Sequence, residues 1–536
     1  MSAVAASGHA GNARTISTMT GAGLLLRQNL RRDRVVVPIV LALMVLMTYA
    51  SAAATDALYG THAELVSAAE TINGQPAIVA LYGRIMDVTS LGEVAMTKMT
   101  VLYAAFASIL FIVIVRRHTR VEEETGRAEL VGAAAVGRDA PLAAAIVEAV
   151  GVAVVLGVLV ALSCMAGGLP ATGSLWFGVV WLGTGLVATG IGAVACQLSA
   201  SARTCAGIAA AIIGVLFAIR AAGDASTGAR WLSWLSPLGW NTQLRAWSGT
   251  RGWVAILYVL TSGALLLAAQ GMRGRRDVGG GLIAARPGRV AARPGFRSPL
   301  ALVLREQSLA LGLWSTACLA MGIVFGAIAP SLQGMLDQMN MQDLMDHLGG
   351  ALIAAILLVA GIVITCYGIT VLTHAAEDET SGRSELLLST GASRGAVWRA
   401  VATTALGGTA WLLVATGLGL WIGYGLSGGD RPWTAIVAAL AWVPAVWTVV
   451  GIGLLCHAWS PHRAVLGWAA VGLSVFVSLA GDLLHFPHWL IKVSPYAAVP
   501  QYPAEDWRWL PVIVLAIVAV AFGVVAWWRF ERRDIG

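Results

Sequence analysis

The sequence is short of charge. Only 12% of its 536 residues are Asp, Glu, Lys or Arg, while 58% are hydrophobic and the mean hydropathy is +0.76. A soluble chain of this length would fold as several domains, and their combined surface needs about twice that charge. Soluble classes are therefore excluded. Lysine is nearly missing: Lys98 and Lys492 stand against 33 arginines. A phosphate-binding P-loop ends in a Lys after a Gly-rich turn, and neither lysine occupies such a turn, so an ordinary ATP-binding domain is excluded as well. No basic stripe with interleaved aromatics is present, which speaks against nucleic acid as a partner. The six cysteines lack C-x-x-C spacing and lie in or beside apolar segments, as small buried hydrophobes do, and external disulfides are not expected.

What is there in quantity is apolar sequence, in runs long enough to cross a bilayer core of about 30 Å. Twelve spans are expected, at 35–54, 99–115, 141–166, 175–197, 204–219, 253–272, 309–329, 349–372, 400–425, 433–457, 464–481 and 510–528. The uncharged stretch 149–202 must contain parts of two helices, with Gly167, Gly168 and Pro170 supplying the turn. With both termini inside, 26 of the 35 basic residues fall on the cytoplasmic side, as the positive-inside rule requires. The first apolar run starts only after residue 34 and is long enough to span, so the N-terminus does not read as a cleavable signal peptide. The expected fold class is an all-α polytopic membrane protein.

The two halves carry the same landmarks in the same order. Gly126, Arg127, Glu129 and Leu130 recur as Gly382, Arg383, Glu385 and Leu386 at an offset of 256, and Arg138 falls on Arg394. Weaker echoes are Cys196…Arg203 with Cys456…Arg463, Ser236-Pro237 with Ser494-Pro495, and Leu26–Leu30 with Leu304–Ser308. The chain divides accordingly into a tail with an interfacial elbow helix (1–34), a six-helix half (35–272), a cytoplasmic linker rich in Gly, Pro and Arg (273–304) and a second six-helix half (305–536). The linker's arginines suit anionic headgroups. Parallel repeats of this kind are related by an axis along the membrane normal, and a substrate path is expected between the halves.

The segments 116–141 and 373–399 hold the most chemistry. Each leaves a span as a charged, helix-favouring stretch and carries a short apolar patch (Leu130 and Val131; Leu386 to Leu388) that is too apolar for a free loop. An apolar patch between fixed charges suits docking into another protein's groove. The same Gly-Arg-x-Glu-Leu spacing twice, with acids that the positive-inside rule does not call for, favours docking over a mere solvated charge run.

In these repeated motifs the chain resembles the membrane subunits of ABC-type antibiotic exporters, most closely the tetronasin/polyketide-antibiotic exporter family. The resemblance covers nearly the whole chain and implies a type V exporter-like fold of two fused six-helix repeats. It implies that the segment after each half's second span is a coupling helix seated on a separate ABC ATP-binding subunit, expected in two copies. Residue by residue it assigns coupling to Glu123, Gly126, Arg127, Glu129 and Arg138, and to Glu379, Gly382, Arg383, Glu385 and Arg394. The two surfaces need not be equivalent, because Glu124 faces Thr380 and Asp139 faces Gly395 across the repeat. It also implies that Mg-ATP binds on the partner and not on this chain, that no catalytic residue lies here, and that the protein sits in a bacterial plasma membrane. The excess of Arg over Lys fits a GC-rich, actinobacterial genome.

Other features are read on their residues. The stretch 22–34 is amphipathic, basic and too short to span, so it reads as an interfacial elbow helix, with 303–307 a weaker counterpart. Trp231, Trp234, Trp240 and Trp247 in the first half, and Trp489, Trp507 and Trp509 in the second, suit a membrane-interface belt or an external lid over an exit. The 1–2 segment, 51–98, is long enough for an external cap. Glu148 is the one acid placed inside a helix, near enough to the cytoplasmic end to pair with Arg138, and its role is structural or gating. The pairs His457/His462 and His485/His488 have no converging carboxylates or cysteines, so no metal is expected. The reading is an ATP-driven exporter permease for lipophilic or amphipathic drugs. The alternative, a proton-coupled secondary drug transporter, would show several acids within spans; a membrane enzyme would need a catalytic constellation that is missing.

Overall fold

The computed structural model describes residues 18–58, 61–226, 228–277, 279–283, 295–338, 342–426, 433–480, 494–500, 502 and 507–533. Among them the fold is helical throughout, without a strand, and eleven helices are long and apolar enough to cross a membrane. The chain forms two compact units, Met1–Gly288 and Arg289–Gly536.

The first unit begins with the basic helix α1 (Ala22–Asp33), followed by the apolar α2 (Val36–Leu58). The 1–2 segment is not an open loop. It folds as α3 (His62–Gly74) and α4 (Pro76–Tyr82), and both the side-chain amide and the side-chain carbonyl of Asn73 bond Ile85, closing the hairpin. Helix α5 (Leu91–Lys98) then runs through a π turn (Met99–Tyr103) into α6 (Ala104–His118), so the second span starts eight residues before the apolar run expected at 99. The reason is an N-cap: Ser90 accepts from the Glu93 N–H, while the Glu93 carboxylate accepts from Ser248 and the Met86 N–H. Short helices α7 (Arg120–Glu124) and α8 (Arg127–Gly132) lead into α9 (Ala140–Ala166), α10 (Ala171–Leu198) and α11 (Ala202–Ala225). The unit closes with α12 (Pro237–Gln243) and α13 (Val254–Arg273).

Helix α10 is the centre of this unit. Its glycines let neighbours approach closely: a Cβ on Gly178 would stand 2.4 Å from the Gly157 carbonyl oxygen on α9, and a Cβ on Gly157 2.7 Å from that of Gly178. Trp181, Phe177, Phe111 and Tyr258 fill the space around it. Two buried polar clusters sit among these apolar side chains. Asn241 accepts from Tyr258 Oη at 2.6 Å and donates to the Thr100 carbonyl. Arg220, fully buried, pairs with Asp224 and donates to the carbonyls of Val79, Ala80 and Leu81, satisfying the open end of α4. Asp224 and Glu93 thus join Glu148 as acids within helices of spanning length, correcting the expectation of Glu148 alone.

The second unit comprises α14 (Pro299–Gln338), α15 (Gln342–Thr380), α16 (Arg383–Leu388), α17 (Arg394–Leu426), α18 (Thr434–Ala441), α19 (Val443–Trp459), α20 (Leu466–Ala480) and α21 (Trp509–Glu531). Residues 303–307 do not form a separate elbow. They lie inside α14, because no Gly or Pro interrupts the helix between Pro299 and the apolar run. Helix α14 packs along α17 through two small-residue pairs, Gly322 and Gly326 against Gly419 and Gly423, where added Cβ atoms would meet opposing backbone at 2.1–2.5 Å. The expected eleventh span corresponds to α20, of which 15 residues are described.

Candidate functional site

The Gly-Arg-x-Glu-Leu motif forms the same local structure in both units. Gly126 and Gly382 have φ of 73° and 75°, a left-handed conformation that L side chains rarely adopt, and a Cβ on either would meet nothing within 4 Å. Glycine is required here by backbone conformation, not crowding. Each glycine reverses the chain out of the preceding helix and starts a six-residue helix, α8 or α16, with Glu129 or Glu385 in its first turn, where an acid favours the helix dipole. Arg127, Glu129, Arg383 and Glu385 are exposed. Leu130 and Leu386 are the apolar side chains of these turns, 77% and 71% exposed. Arg383 pairs with Asp378 at 2.6 Å, and Arg127 lies 3.7 Å from Glu122.

Of the other expected coupling residues, Glu123 and Glu379 turn inward, whereas Arg138 and Arg394 stay exposed and bond backbone carbonyls. Glu123 accepts from both Nη atoms of Arg276 at 2.7 Å, from Arg120 at 2.9 Å and from the Gly279 N–H. Arg120, itself buried, also donates to the Cys196 carbonyl at the end of α10. Glu379 pairs with Arg533, whose other Nη donates to the His457 carbonyl. Arg138 donates to the Arg273 carbonyl at 3.1 Å, and Arg394 to that of Arg533 at 3.0 Å. Each short helix is thus braced against the chain just beyond the last helix of its own unit. Arg276, Arg533 and Arg120 were missed in the sequence, where they read as linker, tail and orientation charge. The Glu–Arg pairing lies about 154 residues along the chain and has no short-range signature. Arg276 and residues 282–283 are correspondingly not free linker: besides the Arg276 pairing, the Leu282 and Ile283 N–H groups bond the carbonyls of Gln197 and Leu198.

Glu148 does not pair with Arg138. It is buried on α9 with His118 Nε2 3.6 Å away, and the same nitrogen is 2.8 Å from Asp33 Oδ2 on α1. The α8–α9 turn carries Arg138 away from this point, toward the end of α13, and His118, the last residue of α6, takes its place. Beside the cluster is a cavity of about 150 Å³ lined by Leu25, Arg32, His118, Glu122, Val131 and Arg273 among others. It lies between the amphipathic helix and the short helix that follows Gly126. In the second unit a shallower apolar groove of about 360 Å³ is lined by Trp398, Arg399, Trp447 and Trp527.

The aromatic residues separate into different roles. Trp231 is 62% exposed, whereas Trp234 stacks on Trp253 at 5.4 Å. Trp240 is buried edge-on against Tyr258 and donates to the Trp234 carbonyl, so it is a core residue and not part of a lid surface. Trp507 packs edge-on against Tyr502 and Trp509. Trp489 lies outside the described residues.

A family model described as the C-terminal domain of the multidrug efflux system permease Rv1217c matches residues 39–276 and residues 296–531. The chain is also 33% identical, over 531 residues, to the multidrug efflux system permease protein Rv1217c of Mycobacterium tuberculosis (strain ATCC 25618 / H37Rv), with 97% of this chain and 96% of that protein covered. What matches is a multidrug efflux permease model, and not the narrower tetronasin/polyketide-antibiotic grouping.

Proposed function

The chain belongs to the multidrug efflux permease family defined by that model, and from this premise we propose that it is the membrane subunit of an ATP-driven ABC exporter. It moves lipophilic or amphipathic compounds outward across the plasma membrane and takes its energy from a separate ATP-binding subunit carrying Mg-ATP. The observation that carries this reading is the pair of short helices after Gly126 and Gly382, each presenting an exposed leucine between an exposed Arg–Glu pair and a braced base. An apolar knob on a rigid, charged platform is what a partner's groove can hold. Closure of two ATP-binding subunits would push on both platforms. Glu123–Arg276 and Glu379–Arg533 would pass that push to the last helix of each unit, biasing the bundles between inward- and outward-facing states. The match of one model to 39–276 and again to 296–531 supports duplication into two six-helix halves, and the basic residues support cytoplasmic termini.

The test is to reconstitute the chain with its ATP-binding partner and measure drug-stimulated ATP hydrolysis. Glu129→Arg combined with Glu385→Arg is expected to uncouple hydrolysis from transport while the protein still folds; unchanged coupling would remove the docking assignment. A second reading, a proton-driven drug transporter, draws on the buried acids Glu148 and Asp224 and the half-buried Glu93. It predicts transport that survives without ATP and collapses with the proton gradient.

A further inference from the structure

We propose that Asp33, His118 and Glu148 form a binding site for one divalent first-row transition-metal ion, at the junction of α1, α6 and α9. The three residues come from three helices, yet one ligand atom from each lies within 4.8 Å of the others, and all three residues are buried. Among the described residues no other group of three such side chains converges in this way.

The hydrogen-bond inventory shows ligand atoms suited to a cation. His118 has one nitrogen facing both acids, at 2.8 Å from Asp33 Oδ2 and 3.6 Å from Glu148 Oε2, and a single N–H cannot serve both. Asn29 is beside Glu148 but outside hydrogen-bonding geometry, so both Glu148 oxygens are left without a partner although the residue is only 3% exposed. Leaving a carboxylate in that state is costly. Arg117 Nη1, at 2.5 Å, compensates Asp33 through its other oxygen, and no such cation reaches Glu148. An ion at the focus of the three ligand atoms takes a lone pair from each. It replaces the bridging proton on Nε2 and compensates Glu148.

One imidazole and two carboxylates form a mixed nitrogen and oxygen set. That set suits zinc or manganese better than copper(I), which prefers sulfur, or calcium, which prefers oxygen alone. Three protein ligands leave a coordination position for water, and His118 borders the 150 Å³ cavity that can supply it. The second unit lacks the set at the same register. There His374 Nδ1 meets Gln307 at 3.3 Å, and Thr404, which stands where Glu148 does, turns its hydroxyl to the Ala400 carbonyl. One ion per chain is therefore the expectation. Its effect would be to clamp the amphipathic helix to the spans on either side of α7 and α8.

The test uses the purified full chain in detergent, stripped with chelator, desalted and loaded with zinc. The wild type is expected to retain about one equivalent. Glu148→Gln and Asp33→Asn should each bind zinc more than tenfold more weakly. Loading with cobalt should give visible ligand-field bands that His118→Gln abolishes. To separate lost binding from lost folding, the stripped wild type and Glu148→Gln are melted with and without zinc. They are expected to unfold at similar temperatures without metal, with only the wild type shifting upward on addition. Failure of the stripped wild type to retain zinc, cobalt or manganese stoichiometrically overturns the proposal, as does equal retention by the variants. These readouts do not depend on transport or on an ATP-binding partner.

Discussion

Glu123 and Glu129 stand six residues apart in the same motif and are predicted to behave oppositely. Glu123 compensates two nearly buried guanidinium groups, so Glu123→Gln leaves Arg120 and Arg276 poorly paired and is expected to destabilise the first unit by about 3–5 kcal/mol. Glu129 is exposed, and Glu129→Gln should stay within about 0.5 kcal/mol of wild type. Thermal melts of the purified variants check this; equal shifts would mean that the motif is not divided into brace and surface. A second contrast belongs to the glycines. Replacing Gly126 or Gly382 with Val forces a β-branched residue into the left-handed region at roughly 1–2 kcal/mol, and Asn should be tolerated better. Drug-stimulated ATPase should fall with Val and recover with Asn if the turn aims the leucine. The sequence displays the glycines and acids plainly because they recur at one spacing. It hides Arg276 and Arg533, because an ion pair between residues 153 or 154 apart obeys no period.

Helices are legible where a single physical signal decides them and obscure where two signals overlap. The apolar runs at 141–166 and 510–528 became α9 and α21 almost without change, since hydrophobic length alone sets a span. The run at 99–115 was cut short because Glu93 and Lys98 read as loop, although Ser90 caps the Glu93 N–H and starts the helix at Leu91. Helix α11 likewise extends past 219 to Ala225, because Arg220 and Asp224 compensate each other inside the fold. The packing of α14 on α17 gives the element-scale prediction. Gly322→Leu or Gly419→Leu forces the two backbones apart, and either should lower the unfolding temperature and the yield of folded protein. Gly523→Leu, with nothing within 4 Å of its Cβ, serves as the tolerated control. Fluorescence-detected size-exclusion profiles distinguish these outcomes.

For the whole molecule, the proposed orientation with cytoplasmic termini predicts that a fluorescent-protein fusion at residue 536 glows, as such domains mature in the cytoplasm. An alkaline phosphatase fusion at the same point should be inactive. The reverse pair of signals would invert every assignment of inside and outside. Buried clusters were the least legible feature at this scale. Asp33, His118 and Glu148 are separated by 85 and 30 positions and become neighbours only when α1 packs along α9, so neither spacing nor composition marks them.

Leu130 and Leu386 carry a consequence for the cell's inventory of the protein. Apolar side chains more than 70% exposed at the rim of a charged platform are what quality-control chaperones and proteases inspect. On the proposed coupling to an ATP-binding partner, a permease synthesised in excess of that partner would display both leucines uncovered and be removed, whereas an assembled one would have them sealed. Subunit balance in the membrane would then be set after translation, by which copies have found a partner.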